Sequence, residues 1–222
     1  MISLTVQMIL FTLPWPLRRR LLSKLLGFKL APTSFVGYSL ILVKEVVLED
    51  GARIKNLTLI KGLDLLHISQ HGRLGNLNWV SAFPSGTGSV HFSEQVRHPQ
   101  LLIGEHASIT NRHLIDCTDS VKVGSFSTIA GFRSQLLTHS IDLRHSIQRC
   151  NPIEIGSYCF VGTGSILLGG SQLPDYSVLG AGSLLNKKHL ETYMLYAGTP
   201  ARKVAPLEAE YAYFHRTCGS VN

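Results

Sequence analysis

The sequence predicts an all-β protein, a parallel β-helix of stacked coils, on three observations. Aliphatic residues recur every six positions, small residues hold a second phase of the same period, and short amphipathic stretches flank the repeats. In the clearest stretch the aliphatics are Ile155, Val161, Leu167, Leu173, Leu179 and Leu185, each six residues after the last. Four positions after the first five come Cys159, Ser165, Ser171, Ser177 and Ser183, all small. An α-helix repeats near 3.6 and a half-buried strand at 2, so neither accounts for a strict six. A chain that bends every six residues does, with the aliphatic side chain inward and a glycine or small residue relieving the corner.

The period continues upstream with slips. Leu48, Ile54, Ile60 and Leu66 keep it, two extra residues lead to Leu74 and then Val80, and Ile103, Ile109 and Ile115 resume it before another two-residue slip to Val123 and Ile129. The slips read as small corner insertions expelled as loops. Three six-residue units per coil make a triangular prism, with about seven coils between Leu48 and Leu185. Two longer interruptions, Phe83 to Gln100 and Ser140 to Pro152, read as the binding loops of a solenoid. Open prism ends expose unpaired strand edges and need covers. Residues 1–40 supply one, with an amphipathic helix over Pro16 to Phe28 built on Leu17, Leu21, Leu22, Leu25 and Leu26. Residues 41–205 form the β-helix, and residues 206–222 a tail whose Pro206 to Arg216 stretch reads as a second short helix.

Composition removes several classes. Of 222 residues, 45% are hydrophobic and 16% charged, enough apolar content to offset the entropy of folding and exclude disorder. The 20 glycines lack an every-third spacing, and 4 cysteines are too few for a disulfide scaffold. Cys117, Cys150, Cys159 and Cys218 form no CxxC pair, which reads as reduced thiols in a cytoplasmic protein. Met1 to Leu13 is apolar but short, and its cations follow rather than precede it, the wrong order for a secretory signal. The net charge of +7 is concentrated in Arg18, Arg19 and Arg20 with Lys24 and Lys29, and no nucleic-acid motif accompanies it. That basic segment has two readings: a solvent-facing cap, or an interfacial helix with Leu10, Phe11, Leu13 and Trp15 in lipid and the arginines on anionic headgroups.

The hexapeptide run, the segment Leu137-Thr138-His139-Ser140 ahead of a loop, and the tail Tyr196-Ala197-Gly198-Thr199-Pro200-Ala201-Arg202 together resemble hexapeptide-repeat acyltransferases. The resemblance is closest to the maltose and galactoside acetyltransferases and their relatives in surface-polysaccharide gene clusters, and covers residues 100 to 205 best. It implies a left-handed β-helix, a handedness that spacing alone does not supply. It also implies a homotrimer that binds acetyl-CoA in clefts between subunits, acting as an O-acetyltransferase on a sugar or glycan precursor without a metal. The family's catalytic histidine falls on His139. Its cofactor contacts fall on Phe160 beside the pantetheine, on Gly162 and Gly180 where the backbone lets the cofactor approach, and on Asn186, Lys187 and Arg202 at the phosphates. Its acceptor contacts fall on Asn111, next to a Thr110 that stands where the family has asparagine, and on Asp116, with His145 as a further candidate.

The chemistry suits those residues. Acyl transfer from a thioester to a hydroxyl needs a base for the hydroxyl proton, which a histidine supplies near neutral pH. A backbone N–H on a coil would meet the developing oxyanion, and Asp142 or Asp116 would orient the imidazole. Competing readings are N-acetylation of a nucleotide-linked amino sugar, a γ-carbonic-anhydrase-like zinc enzyme drawing on His91, His98, His106 and His113, and a non-catalytic scaffold. The inward position of Cys159 makes it a packing residue, and Cys150, on a loop with no base placed beside it, does not read as a nucleophile.

Overall fold

In the computed structural model, which describes residues 2–86, 92 and 95–220, the chain winds into a left-handed β-helix with three parallel sheets as its faces. Sheet A has seven strands, from Lys29–Leu30 through Leu65–Ile68, Gln100–Ile103 and Val121–Val123 to Gln172–Leu173. Sheet B has nine and ends on Met194–Gly198 with its antiparallel partner Ala201–Pro206. Sheet C has seven, among them Leu114–Asp116, Gln135–Leu137 and Leu184–Leu185. Each coil runs A, B, C, so the prism has three edges, A–B, B–C and C–A.

The sixfold phase is the core. Every aliphatic residue named for it, from Leu48 to Leu185, is at most 1% exposed, and the small residues from Cys159 to Ser183 are buried as well. In register these side chains stack directly, as in Ile109 on Ile129 and Leu136 on Leu167. The slips have a different cause from the one expected. The extra residues are not expelled: the longer strands of sheet A turn two side chains inward, Leu66 with Ile68, Leu101 with Ile103, Val121 with Val123 and Ile153 with Ile155. Lengthening a strand by two preserves its alternation and widens the core.

The N-terminal cover is two helices rather than one. α1 spans Ile2–Leu10 and α2 spans Trp15–Leu26, the latter started by Pro14 and Pro16 and stopped by Gly27 in the left-handed conformation. Gln7 completes the first strand of sheet C: its amide donates to Ile41 O (2.7 Å) and accepts from Ile41 N–H (2.9 Å). A side-chain amide thus occupies the place of a missing strand. The lipid-facing expectation for Leu10, Phe11, Leu13 and Trp15 does not hold. Leu10 is buried, Leu13 and Trp15 pack on the core, Phe11 meets Tyr38 edge-on, and the Trp15 indole donates to Ser34 O. Arg18, expected in solvent, is buried beneath them against Val36 O and Gly37 O, its guanidinium over the rings of Phe11, Trp15 and Tyr38.

The C-terminal tail forms a 3-10 turn, Ala212–His215, instead of a helix over Pro206 to Arg216. It is held by a stack of rings along the A–B edge that the period did not reveal. His71, His106, Phe126, Tyr158, Tyr176 and Tyr193 stack successively at 4.7 to 5.3 Å. All six have positive φ between 52° and 58°, a left-handed conformation that non-glycine residues rarely hold. The tail follows the stack back along the prism: Phe214 meets Tyr176 and Tyr193 edge-on, Tyr158 donates to Arg216 O, and Gly219 N–H donates to His106 Nδ1.

Candidate active site

Both long interruptions leave the prism at the C–A edge. The first follows the strand Trp79–Ser81, and the second rises as an antiparallel hairpin of His139–Asp142 with Ile147–Cys150. Between them lies the turn after Leu114–Asp116, one coil below His139 because Asp116 pairs in register with Leu137. That stacking brings Asp116 against His139 although 23 residues separate them.

The carboxylate of Asp116 is buried and fully engaged. Its Oδ2 accepts from His139 Nδ1 (2.8 Å), His139 N–H (3.0 Å), Thr138 N–H (2.9 Å) and the Thr138 hydroxyl (2.7 Å). Its Oδ1 accepts from the Thr118 hydroxyl (2.6 Å) and N–H (3.2 Å). Burial is the largest single influence and would raise this carboxyl, but the hydrogen bonds from Thr118, His139 and Thr138 outweigh it and hold it below the ordinary carboxylate range. An ionised Asp116 fixes the proton of the neutral imidazole on Nδ1 and leaves Nε2 as the free base. The His139 side chain is 38% exposed, enough for that nitrogen to reach a ligand.

The loops close around this pair. Phe83 meets the His139 ring edge-on at 6.1 Å and also contacts Phe92, over which Arg97 lies at 4.7 Å. Arg97 donates to the carbonyls of Phe83, Pro84 and Thr118, tying the loop to the turn beneath His139. Gln95 bridges the two loops: its amide donates to Cys150 O and accepts from Cys150 N–H at 3.0 Å. Residues 87–91 and 93–94 of the first loop, His91 among them, lie outside the described residues.

The remaining candidates fall in several places. Of the two carboxylates considered for orienting the ring, Asp116 does so, whereas Asp142 holds His145 Nδ1 (2.9 Å) at the exposed hairpin tip. Asp116 is therefore behind the base, and its oxygens are taken. Asn111 sits on the B–C edge, away from His139, in a ladder that caps successive coils: its Oδ1 accepts from Asn76 N–H, and Asn76 Oδ1 from Asn56 N–H. Asn186 and Lys187 are exposed on the C–A edge, two coils beyond His139, or about 10 Å at the usual coil spacing. Arg202 is exposed on the last strand of sheet B, paired with Ala197. Phe160 is half-buried against Tyr213 on sheet B.

Gly162 and Gly180 serve the chain itself. A Cβ at Gly162 would lie 2.5 Å from Ala181 N, and one at Gly180 would lie 3.0 Å from the Ala197 Cβ, so the close approach they allow is that of the next coil.

His113 is buried, accepts from Ser134 N–H at Nδ1 and meets the Thr110 hydroxyl at Nε2, and burial lowers it to about 4. His106 is in the ring stack and His98 is exposed on the first loop. Among the described residues no cluster of three or more His, Cys, Asp or Glu side chains has the geometry to hold a metal. Burial raises Cys150 to about 11 and Cys159 to about 12, leaving both as thiols at neutral pH.

Neither a protein-family model nor a curated protein sequence matches the chain. Solved structures do. The polysialic acid O-acetyltransferase OatWY is similar with a TM-score of 0.62 at 15% identity, over 86% of this chain and 90% of that one. AntD, an N-acyltransferase from Bacillus cereus in complex with dTDP and 3-hydroxybutyryl-CoA, is similar with a TM-score of 0.52 at 12% identity, over 89% and 92%. The likeness establishes that this chain has the fold of hexapeptide-repeat acyltransferases.

Proposed function

We propose that this protein is an acetyl-CoA-dependent O-acetyltransferase acting on a sugar or glycan precursor of surface-polysaccharide type, with His139 as general base. The observation that carries this reading is the Asp116–His139 pair, a buried carboxylate fixing Nδ1 of an imidazole whose side chain stays 38% exposed beside the two loops. In that role His139 Nε2 takes the proton of the attacking hydroxyl, and Asp116 stabilises the imidazolium that results. The same nitrogen then returns the proton to the departing thiolate, so the catalyst regenerates without a covalent enzyme intermediate. A hydroxyl depends on such a base more than an amine, which is why we favour oxygen over nitrogen as the acceptor atom.

The donor's phosphates fit the exposed cations at the C-terminal end of the prism. Lys187 lies on the same edge as His139, and Arg202 on the last strand of sheet B, a face that this edge does not border within one subunit; neither makes an ion pair among the described residues. A homotrimer is supported by sheet C. Its outward column runs Leu40, Leu59, Trp79, Leu114, Gln135, Ile166 and Leu184, apolar at every coil but the one that carries Gln135, with Trp79 and Leu114 more than 40% exposed. Covering that stripe with a second subunit would place the His139 edge at a subunit boundary. A cytoplasmic location fits four free cysteines.

Calorimetric titration with acetyl-CoA tests the donor. Binding that weakens about tenfold or more in Lys187→Ala and in Arg202→Ala, and persists in His139→Ala, is the expected result. No binding to wild-type protein would overturn the reading and leave the fold without the activity.

A further inference from the structure

The N-terminal cover presents a surface that the fold does not use. α1 turns Gln7 and Leu10 inward and leaves Leu4, Met8 and Ile9 outward, Met8 at 53% and Ile9 at 64% exposure. α2 adds Leu17 and Leu25, 44% and 56% exposed, and the exposed Arg20 and Lys24 stand on the Leu17 side of the same helix, three and seven residues on. These large apolar side chains are therefore not required by the cap, whose contacts run through Gln7, Leu10, Trp15, Arg18 and Leu22.

Charge identifies the occupant. The first 44 residues contain Arg18, Arg19, Arg20, Lys24, Lys29 and Lys44 and no acidic residue, the first being Glu45. Arg18 is buried, Lys29 pairs with Glu45 and Lys44 with Asp64, whereas Arg19, Arg20 and Lys24 make no ion pair among the described residues. A second copy docked on this face would bring like charges together. A surface both apolar and anionic satisfies both halves of the pattern.

We infer that this face docks on an anionic lipid bilayer, with Leu4, Met8, Ile9, Leu17 and Leu25 in the headgroup–acyl boundary and Arg19, Arg20 and Lys24 on lipid phosphates. The docking is peripheral, since no helix among the described residues is long and apolar enough to cross a membrane. In a trimer of the kind proposed above, threefold symmetry puts all three covers at one end, and three weak contacts add as one avid contact. The acceptor would then be membrane-anchored, its saccharide held at the membrane-facing end of the enzyme. This last step rests on the proposed acyl transfer; the docking itself does not.

Cosedimentation of the full chain with phosphatidylcholine vesicles, with and without about 30% phosphatidylglycerol, reads the inference directly. Wild-type protein is expected to pellet with the anionic vesicles and not with the neutral ones, and to release in high salt. Replacing Arg19, Arg20 and Lys24 together by Gln is expected to weaken partitioning roughly a hundredfold, at about fivefold per charge. The double variant Met8→Asp/Ile9→Asp is expected to abolish it while circular dichroism and acetyl-CoA titration stay as in wild type. Wild-type protein that ignores anionic vesicles overturns the inference, as does binding unchanged in both variants. A Met8→Asp/Ile9→Asp protein that changes its oligomeric mass would assign the face to a second copy instead. Because acetyl-CoA binding is measured without vesicles, failure here leaves the acyltransferase reading standing, and the reverse also holds.

Discussion

Replacing Asp116 by Asn perturbs the site at the atom on which it depends. Six hydrogen bonds converge on this carboxylate, four at Oδ2 and two at Oδ1. An amide has one acceptor oxygen, and the two backbone N–H donors at the Oδ2 position require it there. The NH2 then faces Thr118, whose hydroxyl can rotate to accept but whose N–H loses its partner, costing about 1–3 kcal/mol of stability. His139 keeps its ring orientation and its Nδ1 proton, because an acceptor still faces that nitrogen. What is lost is the negative charge beside the imidazolium formed during transfer. Charge-assisted bonds exceed neutral ones by about 1–1.5 kcal/mol, which lowers kcat about tenfold with KM for acetyl-CoA unchanged. Asp116→Ala also releases the ring and costs more. Steady-state release of free CoA measures the rates, and 15N spectra of the His139 ring report the tautomer. A folded Asp116→Asn enzyme with kcat within twofold of wild type, or Asp116→Ala no slower than Asp116→Asn, would refute this reasoning.

Two further outcomes concern the scaffold. Gly162→Ala drives a Cβ to 2.5 Å from backbone in the next coil, so unfolding measurements should show a loss of about 1–3 kcal/mol or more. Gly182→Ala, with φ +67° and open space around it, should cost only about 1 kcal/mol of backbone strain. His113 makes stability fall in mild acid. Its folded value is about 4 and the unfolded value near 6.5, so its contribution is complete above pH 6.5 and is lost as pH drops towards 4, a loss of about 3 kcal/mol. Unfolding titrations of wild type and His113→Gln across that window should converge as pH falls; parallel curves would contradict the assignment.

The β-helix was legible because its core repeats in sequence: a side chain that points inward every six residues leaves a column that no other fold explains. His139 was legible for a different reason, through its neighbours in a resembling motif. The pairing that gives it meaning was legible only as a choice between Asp116 and Asp142, because Asp116 reaches His139 by coil-to-coil register. A count of one coil, from Asp116 to Leu137, would have placed it. The loops were opaque because their contacts, Phe83 on His139 and Gln95 on Cys150, are made across an edge by side chains 55 or so residues apart. The ring stack carried a signal that aliphatic periodicity does not count, Tyr158 and Tyr176 being eighteen residues apart, three units of six. The cover was misread because hydrophobicity says that Leu10 and Trp15 are buried without saying in what. Here it is the end of the prism, leaving Met8 and Ile9 outward.

The measurement that tests the account most directly is turnover of His139→Ala with acetyl-CoA and saccharide acceptors, alongside donor binding by the same protein. A general base contributes about 10²–10⁴-fold. The account predicts a variant that binds acetyl-CoA like wild type and transfers at least a hundredfold more slowly. A variant with normal binding and undiminished transfer would contradict it, and would move the chemistry away from the C–A edge.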